Sequence, residues 1–350
     1  MPCRENLVAL ISPHNASFKD SLGEVKAELE RRGKYEFLEI SSREIKGGAS
    51  PKSILTFFVV KPVKLARAKY IFLNDNFMPL SRTALRKNTV VTQLWHGEGS
   101  FKKIGLALNL PPDIERDERR LYRKYTYIVC SSPTLVPLYK EAFDADEKSI
   151  LPLGTPRTDA FFRPFDYEKA RREFDVLYPA CKGKKLVLYA PTFRDNSESD
   201  SKLMSHFDEA RFAEKFGNEC ALLLRLHPQI HSFHSTVNAV DVTDYPDVGI
   251  LLRLADLLIT DYSSICMDFA LLDKPSVYYA FDLEEYSRER AFYGRYEDIV
   301  PGKIARSFDE LLEAVENPDF SEEQLRKFRE YHLGACDGGA TVRVLDRVMK

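Results

Sequence analysis

The sequence predicts an α/β protein in two successive halves, each a parallel β-sheet covered by helices. Three observations carry that prediction. Short apolar runs alternate with helical stretches along the whole chain. Most runs are continuous, without period-2 alternation, as in strands buried on both faces of a parallel sheet. The length of 350 residues exceeds one ordinary domain, and 44% hydrophobic residues suffice for two cores.

In chain order, the expected strands are 7–12, 70–74, 90–95, 127–131, 150–153, 185–190, 221–226, 257–260 and 276–280. Each is short and apolar. Tyr167, Ala170, Phe174 and Leu177 recur at the spacing of one helical stripe. Ser307 with Glu310, and Ser321 with Gln324, read as capping boxes that open two helices near the end. Gly-Thr-Pro-Arg at 154–157, a helix, Pro179 and the basic turn 182–185 separate two α/β series. We therefore expect facing Rossmann-like domains over 1–158 and 159–350, the last helix returning to the first domain. No internal repeat or low-complexity segment interrupts them.

Charge excludes some function classes. Lys and Arg number 51 against 53 Asp and Glu, a net charge of −2. A surface tuned throughout for nucleic acid is strongly basic, so no nucleic-acid partner is expected. The six cysteines, at 3, 130, 181, 220, 266 and 336, include no CxxC pair. Cys130, Cys220 and Cys266 lie in apolar runs, so reduced core thiols and a cytosolic compartment are expected. The N-terminus has no signal pattern, and no apolar run approaches the ~20 residues of a membrane-spanning helix. The protein is expected to be soluble or surface-bound.

Chemistry concentrates where strands end. Trp95-His96-Gly97-Glu98-Gly99-Ser100-Phe101-Lys102-Lys103 follows the strand at 90–95. Ligands of open α/β sheets bind at the carboxyl ends of strands. An imidazole there, with an ordinary pKa of about 6.5, suits a general base; the alternative is a histidine satisfied by backbone. Gly97 and Gly99 allow close backbone approach, and Lys102 and Lys103 can face an anion. Leu224-Arg225-Leu226-His227-Pro228 closes another strand with a cation and an imidazole suited to phosphate. His231 and His234 have metal-like spacing, but without a carboxylate or cysteine cluster no metal is expected. Thr260-Asp261-Tyr262-Ser263-Ser264 is a strand, turn and helix start, either an anion site or a plain N-cap. Arg157 in 153–159 and Arg194 in 189–195 add cations at strand ends. Any one arginine is commonly a surface ion pair. Four such loops together describe a cleft that grips a pyrophosphate, with one histidine from each domain.

A further basic stretch follows the apolar run 54–60. It carries Lys61, Lys64, Arg67 and Lys69 without an acid. Arg116, Arg119, Arg120, Arg123 and Lys124 form another. Such surfaces can lie on anionic lipid, gaining roughly 1 kcal/mol per cation; the alternative is a core helix with a solvated edge.

With these residues in view, the chain resembles the CDP-glycerol glycerophosphotransferases, the polymerases and primases of teichoic-acid and capsule synthesis. The resemblance rests on Trp95-His96-Gly97 with Lys102-Lys103, Gly154-Thr155-Pro156-Arg157-Thr158-Asp159, Tyr189-Ala190-Pro191-Thr192-Phe193-Arg194, Arg225-Leu226-His227-Pro228 and Ile259-Thr260-Asp261-Tyr262-Ser263-Ser264. Asp268, Lys274-Pro275, Asp282-Leu283-Glu284, Tyr286, Pro301-Gly302 and Asp337-Gly338 extend it in order across about 90–340. Where many polymerases of the family read Trp-His-Gly-Thr-Pro-Leu-Lys-Lys, this chain has Glu98-Gly99-Ser100-Phe101, closer to primases and capsule enzymes.

The resemblance implies a GT-B fold and transfer of polyol phosphate from CDP-glycerol or CDP-ribitol to a hydroxyl, with release of CMP. The acceptor would be a lipid-linked glycan or polyol phosphate at the cytoplasmic face of the membrane. It implies His96 as base and His227 at the donor pyrophosphate. Asp261, Ser263 and Ser264 would bind donor phosphate. Lys103, Arg157, Arg194 and Arg225 are our further phosphate candidates. Trp95 and Glu98 are assigned to the acceptor side, Glu98 with the alternative of positioning His96, and Lys61, Lys64, Arg67 and Lys69 to the membrane. No cofactor is expected, and no divalent cation is indicated. The rivals are a GT-B nucleotide-sugar glycosyltransferase, which releases a nucleoside diphosphate, and a non-catalytic binding module.

Overall fold

The computed structural model describes residues 3–45, 61–192, 194, 203, 205–226, 237–318 and 320–350, and has an α/β fold with two parallel sheets. The apolar run 54–60, His227, Pro228, His231 and His234 lie outside the described residues.

The first unit spans Met1–Arg163 and Glu330–Lys350. Its strands are β1 (Arg4–Ser12), β2 (Glu36–Ser41), β3 (Ala68–Leu73), β4 (Val90–Gln93), β5 (Tyr127–Val129) and β6 (Ile150–Leu151). They pair in the order β2-β1-β3-β4-β5-β6. The continuous apolar run in β1 has a simple cause. Val8 and Leu10 feed one core with Leu22, Val25, Val344 and Leu345, whereas Leu7, Ala9 and Ile11 feed another with Leu121, Tyr139 and Phe143. Helices therefore cover both faces.

The second unit spans Pro164–Arg329. Its strands are β7 (Lys185–Tyr189), β8 (Cys220–Leu224), β9 (Val240–Asp241), β10 (Leu257–Thr260), β11 (Ser276–Tyr279) and β12 (Lys303–Ala305). Their order is β12-β11-β10-β7-β8-β9. Val187, Tyr189, Leu222, Leu224, Ile259, Val277 and Tyr279 pack with Phe207, Phe212, Leu311 and Leu312.

The domain boundary expected at 158/159 falls instead at 163/164, and the last 21 residues, 330–350, rejoin the first unit. Side chains of the 153–159 motif explain the return. The Asp159 carboxylate accepts from the Ala340 and Thr341 N–H groups at 2.9 and 2.8 Å, and from the Thr341 hydroxyl at 2.6 Å. It thereby satisfies the orphan donors opening the helix Ala340–Val348. Arg343 from that helix donates to the carbonyls of Leu153 and Ala335. Gly154 has φ +82°, and a Cβ there would lie 2.2 Å from the Ala335 carbonyl oxygen. Only glycine fits that approach.

Two local expectations change. In the helix Tyr167–Leu177, Ala170 and Phe174 are buried, but Tyr167 and Leu177 are exposed. The stripe is half as wide as its spacing implied. β2, β9 and β12 were not anticipated, and each is an edge strand. An edge strand is less enclosed, so its apolar run is diluted or short. The capping serines act as expected: Ser307 accepts from Glu310 N–H at 3.2 Å and Ser321 from Gln324 N–H at 3.3 Å. All six cysteines are free thiols. Among the described residues, no helix is long and apolar enough to cross a membrane.

Candidate active site

In the first unit, adjacent strands β1, β3 and β4 end side by side, and a polar residue follows each. His14 follows β1, Asp75 follows β3 and His96 follows β4. His96 Nδ1 lies 3.3 Å from Asp75 Oδ2, and His14 Nε2 lies 3.3 Å from the same oxygen. The Asp75 Oδ1 accepts from the Asn76 N–H at 2.6 Å. Gln93 Nε2 donates to the Asp75 carbonyl at 3.2 Å, and Gln93 Oε1 accepts from Trp95 N–H at 2.9 Å. A carboxylate is thus set between two imidazoles and tied to the strand that carries one of them.

The loop bearing His96 is strained and well braced. Trp95 has φ +60°, a left-handed conformation that costs roughly 1–3 kcal/mol in a non-glycine residue. Its indole belongs to the core, edge-on to Phe143 at 5.1 Å, with the His96 ring 4.5 Å above it. Arg157 Nη1 donates to the His96 carbonyl at 3.1 Å, and its Nε lies 3.3 Å from Glu98 Oε1. Gly99 N–H donates to Ser131 Oγ at 3.0 Å, and that hydroxyl donates to the His332 carbonyl at 2.6 Å. Ser100 N–H donates to His332 Nδ1 at 3.3 Å.

His332 is buried, and burial lowers its pKa to about 4 from 6.5. Its neutral ring accepts from Ser100, which requires the proton on Nε2. The unfolded chain takes up this proton as pH falls through about 6.5, while the folded chain resists until about 4. Stability supported by neutral His332 is therefore complete above about 6.5 and is lost toward pH 4, by about 3 kcal/mol at most. His332→Gln should unfold in urea with a flatter pH dependence over that window. An identical slope in both proteins would refute this role.

In the second unit, the carboxyl ends of adjacent β7, β10 and β11 build a charged cluster. Arg194 is 8% exposed. Its Nη1 lies 3.0 Å from Asp261 Oδ2, and its Nε and Nη2 reach the two Asp282 oxygens at 2.9 and 3.1 Å. Burial opposes the guanidinium charge, but the two aspartates outweigh it and raise the pKa. Asp261 Oδ1 accepts from Thr192 and Tyr262 N–H groups at 2.8 and 2.6 Å. Tyr262 donates to Asp282 at 2.9 Å and stacks on Tyr286 at 3.9 Å. Arg225, after β8, donates to the carbonyls of Val242, Thr243 and Tyr245 at 3.0–3.2 Å. Burial lowers its pKa, with Asp244 and Asp247 opposing. Ser263 accepts from Ile265 N–H at 3.4 Å, and Ser264 is exposed before the helix Ile265–Ala270.

Arg157, Arg194, Arg225 and Asp261 are each engaged with carboxylates, carbonyls or N–H groups of neighbouring loops. Trp95 and Glu98 were assigned to an acceptor, but both side chains are buried. Trp95 supports His96 from the core, and Glu98 faces Arg157. In the basic stretch, Lys61 donates to the Glu39 carbonyl at 2.6 Å and Lys69 pairs with Glu5 at 3.2 Å. Arg67 is partly buried, and Lys64 is exposed. Lys103 is partly exposed in the loop after His96. The structure adds His14, Asp75 and His332, which sequence reasoning passed over. His14 and Asp75 carried the same signal as His96, a polar residue just past a buried strand. His332 carried none, because its partners are about 200 residues away in sequence.

A family model described as CDP-glycerol:poly(glycerophosphate) glycerophosphotransferase matches residues 1–350. The teichoic acid ribitol-phosphate polymerase TarL of Staphylococcus aureus (strain NCTC 8325 / PS 47) is 37% identical over 81% of this chain and 52% of its own length. The chain thus spans about half the length of the polymerases it matches. The teichoic acid ribitol-phosphate primase of Bacillus spizizenii (strain ATCC 23059 / NRRL B-14472 / W23) is 31% identical over 99% of this chain and 91% of its own length. The structure of the wall teichoic acid polymerase TagF superposes with a TM-score of 0.82 over 99% of this chain and 89% of that one, at 21% identity, which shows a shared fold. The match along the entire chain makes the protein a member of the CDP-glycerol:poly(glycerophosphate) glycerophosphotransferase family.

Proposed function

We propose that this protein transfers a polyol phosphate from a CDP-polyol to a hydroxyl of a lipid-linked glycan or polyol-phosphate acceptor in teichoic-acid or capsule synthesis, releasing CMP. The observation that carries the proposal is His96: half-exposed at the carboxyl end of β4, with one ring nitrogen held on Asp75. In this reading the protein is a GT-B enzyme, the first unit (1–163 and 330–350) serving the acceptor and the second (164–329) the donor. His96 removes the acceptor proton, and the oxygen attacks the β-phosphorus in line. The bond to CMP breaks as the new oxygen–phosphorus bond forms. Positioning and charge neutralisation supply most of the rate in such transfers. His227, Lys103, Ser263 and Ser264 are the proposed pyrophosphate contacts. Arg157, Arg194, Arg225 and Asp261 shape the loops that present them.

The enzyme would work peripherally on the inner face of the cell membrane, with exposed Lys64 and the exposed Arg116, Arg120 and Arg123 toward anionic lipid. CDP-ribitol is the donor to try first, because the 37% identical polymerase and the primase matched over 91% of its length both carry ribitol phosphate in their names. Incubation with CDP-ribitol or CDP-glycerol and a lipid-linked acceptor analogue should release CMP, with product mass rising by one or more polyol-phosphate units. Release of a nucleoside diphosphate from a nucleotide sugar would point to the glycosyltransferase rival. No donor turnover at all would point to a binding module.

A further inference from the structure

We propose that Asp75 is the positioning residue of the transfer reaction, holding the Nδ1–H tautomer of His96 so that Nε2 is the base, and that His14 braces the same carboxylate oxygen. The proposal rests on the reading of His96 as base and extends it to residues that reading does not contain.

The geometry is specific. An ionised carboxylate only accepts hydrogen bonds, so an imidazole nitrogen facing it must carry the proton. His96 Nδ1 is the nitrogen facing Asp75, at 3.3 Å. The neutral ring then leaves Nε2 with its lone pair. Asp75 is itself held: Oδ1 is taken by the Asn76 N–H, which leaves Oδ2 for the imidazoles. Its carbonyl is fixed by Gln93, which also receives the Trp95 N–H at the base of the His96 loop. Gln93 Nε2 contacts the Tyr125 hydroxyl at 3.2 Å, and Tyr125 donates to Asn76 Oδ1 at 3.1 Å. This closed ring joins the ends of β3 and β4, so Asp75 and His96 move together. His14 approaches from the third strand end. With His14 on one side and the half-buried aspartate tied below, the carboxylate has one orientation that reaches His96.

The chemistry balances. The acceptor hydroxyl proton moves to Nε2, the oxygen–phosphorus bond forms, and the bond to CMP breaks with its electron pair. The imidazolium produced has its Nδ1–H on Asp75, whose charge offsets the new one. His14 touches no substrate in this scheme and acts through Asp75 alone.

The test uses the full chain and CDP-ribitol or CDP-glycerol with an acceptor analogue. Asp75→Asn should lower kcat by about 10-fold or more, with KM for the donor changed much less. ¹⁵N spectra of the histidine rings should show His96 protonated on Nδ1 in the wild type and shifted toward the Nε2–H tautomer in Asp75→Asn. A structural role would not move that tautomer. His14→Ala should cost less than Asp75→Asn and add no loss in the Asp75→Asn background, the non-additivity of groups acting through one another. If Asp75→Asn folds poorly, Asp75→Glu keeps the charge and should preserve the wild-type tautomer. Wild-type His96 protonated on Nε2, or unchanged kcat and tautomer in Asp75→Asn, overturns the proposal. Full turnover in His96→Ala would instead overturn the base assignment, whatever the tautomer spectra show.

Discussion

Replacing His96 with alanine is expected to lower CMP release from a CDP-polyol by about 100-fold or more, the usual scale for a lost general base. The fold should survive. The imidazole is 53% exposed, so its removal opens no core cavity. Trp95 beneath it keeps its contacts with Phe143 and its N–H bond to Gln93. Glu98, Arg157 and Ser131 continue to brace the loop through groups that the substitution leaves untouched. The measurement is turnover at saturating donor, beside circular dichroism and a melting curve. Normal turnover in a folded His96→Ala protein would remove His96 from the reaction.

Arg194→Ala should produce the largest loss of stability, about 3–5 kcal/mol. Arg194 is the cation set between Asp261 and Asp282, whose side chains are 2% and 12% exposed. Removing it leaves two neighbouring carboxylates that are nearly dry, repel each other and, among the described residues, keep N–H and hydroxyl partners. Lysine would restore the charge but not the fork that reaches both aspartates at once. For a unit of this size the melting temperature should fall by on the order of 10 °C. A fall of about 1 °C or less, read by calorimetry, would mean that solvent screens the cluster and that Arg194 remains available to a ligand. Loss of CDP-polyol binding without loss of stability would support the direct phosphate contact expected from the sequence.

The contrast between those two residues says how far local reading reaches. His96 and Arg194 look alike in sequence, each a charged or titratable residue just past a buried strand. In the fold, His96 stays half-exposed with one nitrogen on an aspartate, whereas Arg194 is enclosed by two aspartates from other strands. Burial and pairing are set by which strands lie adjacent. β7 sits beside β10, with β11 next, though 67 residues separate Thr260–Asp261 from Arg194 in the Arg194–Asp261 contact. Nothing local marks the partner.

Strand identity, parallel packing and the loops that carry chemistry could be read from residues a few positions apart. Apolar runs record burial on both faces, and each run stops where a strand leaves the sheet. Three of the four edge strands, β2, β9 and β12, were obscure because partial enclosure dilutes the apolar pattern. Long-range pairing was left to the tertiary structure: His14 and His96 on one carboxylate, Asp159 on the final helix, His332 under the Ser100 loop. The physical reason is that a hydrogen bond or ion pair forms between atoms about 3 Å apart in space, and the strand order together with the packing of helices on the sheet determines which distant residues come that close.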